Sequence, residues 1–82
     1  MFEDINEPVA VIALYDKGVI RPYRIKWRNR VYHVTNLVRN WQEKVGNTRY
    51  IHLSVDTKEA TMELVIDPSD VSWRLARVNL EG

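Results

Sequence analysis

An alternation of apolar and polar residues with a period of two constrains this chain more than any other feature. Successive side chains of a β-strand point to opposite faces, so such a run buries one face and exposes the other. Turn-forming residues separate the alternating runs. The pattern predicts an all-β, mainly antiparallel fold, a six-strand meander that forms a small open barrel or a strongly curved sheet. The clearest apolar series are Tyr23-Ile25-Trp27, Ile51-Leu53-Val55 and Met62-Leu64-Ile66.

The 82 residues suffice for one small β domain, residues 1–82, near the lower limit for a self-sufficient core. Cysteine is absent, so disulfides, thiolate metal sites and a cysteine nucleophile are excluded. The first eight residues carry three acids, where a signal peptide would be positively charged. The longest apolar run is also far shorter than the roughly 20 residues of a membrane span. We therefore expect a cytoplasmic protein with no membrane partner.

The first two strands are predicted on either side of a turn at Asp16-Lys17-Gly18. The run Val9 to Tyr15 is apolar at almost every position, which predicts a strand buried on both faces. The second strand, about Val19 to Trp27, alternates and contains Pro22. Proline cannot donate a ladder hydrogen bond, so this part of the strand is expected at an edge or a bulge.

Arg28-Asn29 is predicted to form a two-residue turn, since asparagine tolerates left-handed φ. Such a turn places Ile25 opposite Tyr32 and Tyr23 opposite Val34 on the core face. On the other face it sets His33 across from Arg24.

Residues 35 to 45, TNLVRNWQEKV, fit two structures. They could form a long, bent or bulged strand, which the surrounding alternation favours. They could also form a short helix near 36–45, capped by Thr35 or Asn36, since Leu37, Trp41 and Val45 recur every four residues. Gly46-Asn47 ends the element in either case.

Charge is distributed unevenly along the chain, although the net charge is only +1. Residues 1–16 contain four acids and no bases, residues 17–49 contain nine bases and one acid, and residues 50–82 contain three bases and six acids. On the second strand, Arg24, Lys26 and Arg28 alternate with the apolar side chains, so they form a row spaced about 6 to 7 Å apart. Such a row suits phosphates, or it protects an edge strand from aggregation. The candidate nucleic-acid-binding cations are Arg21, Arg24, Lys26, Arg28 and Arg30.

Aromatic residues have two interpretations in a chain of this size. Trp27, Trp41 and Trp73 are most simply core anchors, because each ring buries a large area. One or two aromatic side chains could instead be exposed platforms for base stacking. Tyr50 is the best candidate platform, because it alternates with Ile51 and Leu53 and so points away from the core.

Catalytic and metal-binding motifs are absent from the sequence. His33 and His52 lack metal-ligand spacing, and the acids at 56, 59, 67 and 70 are explained by turn chemistry. The three glycines form no phosphate-binding loop, and no serine has a nucleophile-elbow context. We expect no enzyme activity, no catalytic residues, no metal and no cofactor.

A series of aromatic, aliphatic and charged positions lies between Arg30 and Val78, namely Arg30, Tyr32, Val34, Leu37, Trp41, Tyr50, Glu63-Leu64, Trp73, Leu75, Arg77 and Val78. In these positions the segment resembles a family of small bacterial domains found free-standing or beside Y-family, DinB-like DNA polymerases. The family has no established reaction, so the resemblance implies an association with DNA repair more than it implies a mechanism.

Two functions remain open from the sequence. The first is a non-catalytic accessory domain that binds single-stranded or duplex nucleic acid through the basic strand, with Tyr50 or a tryptophan as a stacking surface. The second is a protein-interaction module that pairs with a polymerase-type partner, or with itself as a homo-oligomer, by strand addition at an open edge.

Overall fold

A computed structural model of the protein describes residues 1–80, which form one antiparallel sheet of seven strands in the order β1-β7-β6-β5-β4-β3-β2. The prediction of an all-β antiparallel fold is confirmed, and the sheet is strongly curved and open. The strands are β1 (Glu3–Pro8), β2 (Ala10–Asp16), β3 (Val19–Trp27), β4 (Arg30–Val45), β5 (Thr48–Thr57), β6 (Ala60–Asp67) and β7 (Ser72–Leu80).

Two-residue turns fix the register of the first hairpins. Lys17 and Gly18 both have positive φ between β2 and β3, and Arg28 and Asn29 both have positive φ between β3 and β4. Positive φ at both central residues is the geometry whose twist matches the flanking strands. The predicted pairs Ile25 with Tyr32 and Arg24 with His33 are accordingly present.

Strand β4 extends over 16 residues, so the predicted long, bulged strand is confirmed and the alternative of a short helix near 36–45 is wrong. Residues 30–33 pair with β3, and residues 34–45 pair with β5. The β5 register shifts between Val34 and Asn36 and again between Leu37 and Arg39. These bulges bend the strand, which lets one strand serve both halves of the curved sheet.

The core lies on the concave face of the sheet. Alternate side chains of β5 and β6 point to this face. These two strands supply most of the buried apolar residues. Partly buried residues such as Ile5, Val34 and Trp73 pack around its rim. The buried apolar residues are Ile25, Trp27, Tyr32, Leu53, Val55, Ala60, Met62, Leu64, Ile66, Leu75 and Val78.

The structure adds one strand that the sequence analysis missed, because Glu3–Pro8 pairs with β7. At Val9 the chain passes from β1 directly into β2, and the Val9 N–H donates to the Trp73 carbonyl (3.1 Å). One continuous segment thus provides the edge strand next to β7 and the edge strand next to β3. The two edges meet end to end at Val9, and β1 and β2 do not pair with each other.

The predicted burial of β2 on both faces is wrong. β2 is an edge strand, paired only with β3. Val11 and Ala13 face inward, but Ile12 and Leu14 are 61% and 49% exposed on the outer face. Apolar residues at consecutive positions therefore do not imply two covered faces here.

Glu7 connects the end of β1 to the end of β3. Its Oε1 accepts hydrogen bonds from Trp27 Nε1 (2.8 Å) and Arg28 Nε (3.2 Å), and its Oε2 accepts one from Arg28 Nη2 (2.7 Å). The Arg28 guanidinium, and then the Trp27 indole, lower the pKa of Glu7 from its ordinary value of 4.5. The carboxylate thus satisfies the buried indole N–H while it ties the first edge strand to the β3-β4 turn.

Glu7→Gln is expected to lower the free energy of unfolding at pH 7, because it removes the charge that Arg28 pairs with. A carboxyl whose pKa is lowered by folding contributes stability above its unfolded pKa, near 4.5, and loses it as pH falls through the lower folded pKa. Denaturant unfolding of both proteins across this range should show a difference that is full at pH 7 and closes in acid. Asp4→Asn, which removes another carboxylate of β1, serves as the control. A difference that stays constant with pH would contradict an ionic role for Glu7.

Candidate nucleic-acid interface

A bulge in β3 determines what its outer face presents. Ile12 pairs with Arg24 but Ala13 pairs with Pro22, so Tyr23 is the extra residue of the β2-β3 ladder. Pro22 is buried, whereas Tyr23 is 51% exposed. The predicted core position of Tyr23 opposite Val34 is therefore wrong. Of the two positions predicted for Pro22, an edge or a bulge, the structure has the bulge, since β3 lies between β2 and β4. Proline cannot donate to the ladder, and the bulge accommodates it by turning the next side chain outward.

Three of the predicted cations lie on this outer face beside Tyr23. Arg21, Arg24 and Lys26 are all exposed, and their β2 partners are Leu14, Ile12 and Ala10. Among residues 1–80, no carboxylate forms an ion pair with any of the three. Their charge is thus not neutralised within this part of the chain.

The same face also carries exposed apolar side chains. Ile12 and Val31 line a shallow depression together with Arg24 and Lys26, and both apolar side chains are about half exposed or more. The surface thus combines cations with apolar contacts. We define the outer surface as Ile12, Arg21, Tyr23, Arg24, Lys26 and Val31.

Arg28 does not continue the predicted row of cations. It occupies the β3-β4 turn with φ 53°, and its guanidinium pairs with Glu7 and lies 4.6 Å from the Trp27 ring centroid. The row therefore ends at Lys26. Alternation predicted the wrong position, because the two turn residues leave the strand geometry.

Arg30 is also engaged within the molecule. Its Nη2 lies 3.5 Å from Glu59 Oε2, and its guanidinium lies 5.2 Å from the Tyr32 ring centroid. The ion pair with Glu59 is exposed, so it weakens as salt rises, whereas the ring of Tyr32 is buried. Arg30 is thus less available to an external anion than Arg24 or Lys26.

Tyr50 lies on the outer face as predicted, but it is half-buried and remote from the cations of β3. It pairs with Glu43 on β4, whereas Arg24 pairs with His33. Ten positions of β4 separate these partners, which is on the order of 30 Å along a strand. Tyr50 instead borders a depression with Glu43, His52 and Arg74. The structure does not bring Tyr50 together with the β3 cations.

Sequence reasoning missed a second aromatic cluster on the outer face. Trp41, expected as a core anchor, stacks on His52 with ring centroids 5.1 Å apart and planes at 14°. The Arg39 guanidinium lies 4.6 Å from the Trp41 centroid. The bulge between Leu37 and Arg39 reverses the alternation and moves Trp41 outward. The two-residue turn at Gly46-Asn47 pairs Trp41 with His52 by register alone, and this signal was available in the sequence.

Residues 1–80 contain neither a metal-binding cluster nor a membrane-spanning helix. Within them, no group of three histidine, cysteine, aspartate or glutamate side chains is placed to hold a metal ion. The same residues contain no helix long and apolar enough to cross a membrane. The outer surface remains the best-defined candidate for binding.

Comparison with known proteins returns no matching family model, no matching curated protein and no matching solved structure. The likeness to the polymerase-associated domains therefore rests on the sequence pattern alone.

Substitution at adjacent odd positions of β3 should separate the bulge from simple alternation. We expect Tyr23→Ala to change the free energy of unfolding by less than about 0.5 kcal/mol, because the side chain is exposed. Ile25→Ala should cost about 2 to 5 kcal/mol, because Ile25 is fully buried. Denaturant unfolding of the two variants measures both values. Equal losses would show that both side chains face the core.

Proposed function

We propose that this protein is a non-catalytic accessory module that binds single-stranded nucleic acid through the outer surface. The observation that carries the proposal is Tyr23, which the β3 bulge holds in solvent between Arg21 and Arg24. An exposed aromatic ring flanked by uncompensated cations is the combination that single-strand binding proteins use, with bases on the ring and phosphates on the cations.

The electrostatic part of the proposal concerns Arg21, Arg24 and Lys26. Arg24 and Lys26 are two residues apart on one face, so their side chains leave the strand about 6 to 7 Å apart. An extended nucleic-acid backbone could place successive phosphates against them. Because neutralised phosphates release counterions, affinity should fall as salt rises.

The apolar part favours single strands over duplexes. Bases stacked within a duplex do not offer their faces to a protein side chain, whereas an unpaired base can stack on Tyr23 and contact Ile12 or Val31. Every base has a π-face, so binding of this kind tolerates many sequences. The surface is thus suited to holding a strand more than to selecting a sequence.

The proposed site differs from the one expected from sequence. Arg28 and Arg30 have internal carboxylate partners, so we assign them a supporting role at the edge of the positive field. Tyr50 is too distant to stack a base bound at Arg24. Tyr23 takes its place as the stacking residue.

We propose that this binding serves DNA repair in a bacterial cell. The resemblance of residues 30–78 to domains that accompany Y-family DNA polymerases supports a role in DNA repair, with single-stranded DNA as the ligand and a polymerase-type protein as an associate. Such a role would place the protein in the cytoplasm of a bacterium. RNA remains the alternative ligand for the same surface.

Fluorescence anisotropy with labelled single-stranded DNA, single-stranded RNA and duplex DNA, each at several salt concentrations, tests the proposal. Removing both cations in Arg24→Ala/Lys26→Ala should weaken binding and reduce the slope of log affinity against log salt by about 1.4, or about 0.7 per phosphate on a single strand. Tyr23→Ala should weaken single-strand binding by about 1 to 3 kcal/mol, leave the slope unchanged and leave duplex binding unaffected.

Lys58→Ala provides the matched control, since it removes an exposed cation from the β5-β6 turn. Its affinity should equal that of the unmodified protein. Absence of binding at low salt, or an equal loss in the Lys58 variant, would refute the assignment of the site.

A further inference from the structure

Strand β2 has an unpaired backbone edge. It pairs with β3 on one side. Within residues 1–80, no strand pairs with its other side. Its outer side chains Ile12 and Leu14 are 61% and 49% exposed. An exposed edge with apolar side chains is a template for pairing with another strand.

The usual protections of an edge strand are missing from β2. Residues 10–15, AVIALY, contain no charge and no proline, and the local bulge lies on β3 rather than on β2. Natural edges are normally guarded by lysine, proline or a bulge. The absence of these devices in this segment indicates that the edge is covered in the working state of the protein.

We propose that the occupant of this edge is β2 of a second copy of the chain, paired antiparallel about a two-fold axis through Ala13. This inference goes beyond the proposed binding of nucleic acid and does not depend on it. About a two-fold axis, a residue that lies a given number of positions before Ala13 pairs with the partner's residue the same number of positions after Ala13. Ile12 therefore lies opposite Leu14 of the partner subunit, and Val11 lies opposite the partner's Tyr15.

Charge complementarity selects this register. Asp16 of the partner subunit lies opposite Ala10, and Ala10 is also the β3-side neighbour of Lys26. Lys26, Ala10 and the partner's Asp16 all point to the outer face, because residues directly opposite each other on neighbouring strands point to the same face. Two strand spacings, about 10 Å, separate Lys26 from the partner's Asp16. The two long side chains can meet above the small Ala10, and the symmetry makes this contact twice.

Neighbouring registers lose these matches. An axis through Ile12 places Leu14 opposite Ala10 and moves Asp16 past the start of β2. An axis through Leu14 places Asp16 opposite the partner's Ile12, which is the β3-side neighbour of Arg24. Asp16 would then face a cation across a large aliphatic side chain, whereas in the proposed register it does so across the small Ala10. Only the axis through Ala13 places the large apolar side chains of Ile12 and Leu14 opposite each other and also brings Asp16 to a cation across a small residue.

The dimer would enlarge the outer surface. Across the joined sheets, one row runs from Arg24 through Ile12 and the partner's Leu14 to the partner's Arg21, over three strand spacings of about 14 Å in total. Two basic strips would thus flank a central apolar strip. Lys26 would be shared between this contact and phosphate binding.

Sedimentation equilibrium of the unmodified protein up to millimolar concentration is the first experiment, and a reversible dimer is expected. Ile12→Lys should raise the dissociation constant at least about tenfold, because it places a charge in the apolar strip on both sides of the axis. Val38→Lys is the control, since Val38 is similarly exposed, at 53%, on β4. A monomer at all concentrations, or equal effects of the two variants, would overturn the proposal.

Charge reversal tests the register. Asp16→Lys and Lys26→Asp should each weaken the dimer about tenfold, and the double variant Asp16→Lys/Lys26→Asp should restore it, because every contact then regains opposite charges. Additive weakening in the double variant would contradict the pairing of these two residues. A dimer that neither variant affects would place the interface elsewhere.

Disulfide cross-linking tests the axis itself. The chain contains no cysteine, so any cross-link reports the introduced position. Ala13→Cys should form a covalent dimer on mild oxidation, since residues on the axis face each other at a distance that a disulfide spans. Ile12→Cys should cross-link far more slowly. The reverse order would assign the axis to Ile12 and reject the proposed register.

Discussion

Residues 3–16 pair with strands at both ends of the sheet, and the rest of the structure depends on this constraint. One uninterrupted segment pairs with β7 through β1 and with β3 through β2. The Val9 N–H donates to Trp73 at the crossing point, and Glu7 binds Trp27 and Arg28 just before it. These contacts bring opposite ends of the strand order together. The concave core can therefore be enclosed by a sheet that is not a closed barrel.

Local signals were sufficient to predict much of the fold. The alternating runs identify β3, β5 and β6, and a two-residue turn fixes the register between β3 and β4, as the pairing of Ile25 with Tyr32 shows. These features depend on residues close in sequence, where side-chain period and turn geometry leave few choices. The exposure of Arg24 and Lys26 on one face was predictable for the same reason, because both lie within one hairpin.

The remaining features depend on residues far apart in sequence or on a change of period. β1 has a polar sequence, EDINEP, and becomes a strand only by pairing with β7. The bulges reverse the alternation, which is why Tyr23 and Trp41 were assigned to the core. Arg28 was predicted to be available to bind nucleic acid, because its partner Glu7 lies 21 positions earlier in the chain and the sequence does not show that the two meet. A period of two cannot show where an extra residue interrupts it.

The pairing of β1 with β7 also has a consequence for biosynthesis. Glu3 is aligned with Val78, so a segment synthesised early finds its partner only after roughly 70 more residues have been added, a contact of high sequence separation that slows folding. The hairpins between β2 and β6 join neighbouring segments, so they can form before β1 pairs with β7. Until that last pairing forms, the core is incomplete, and the chain is then most prone to aggregation and most dependent on chaperones.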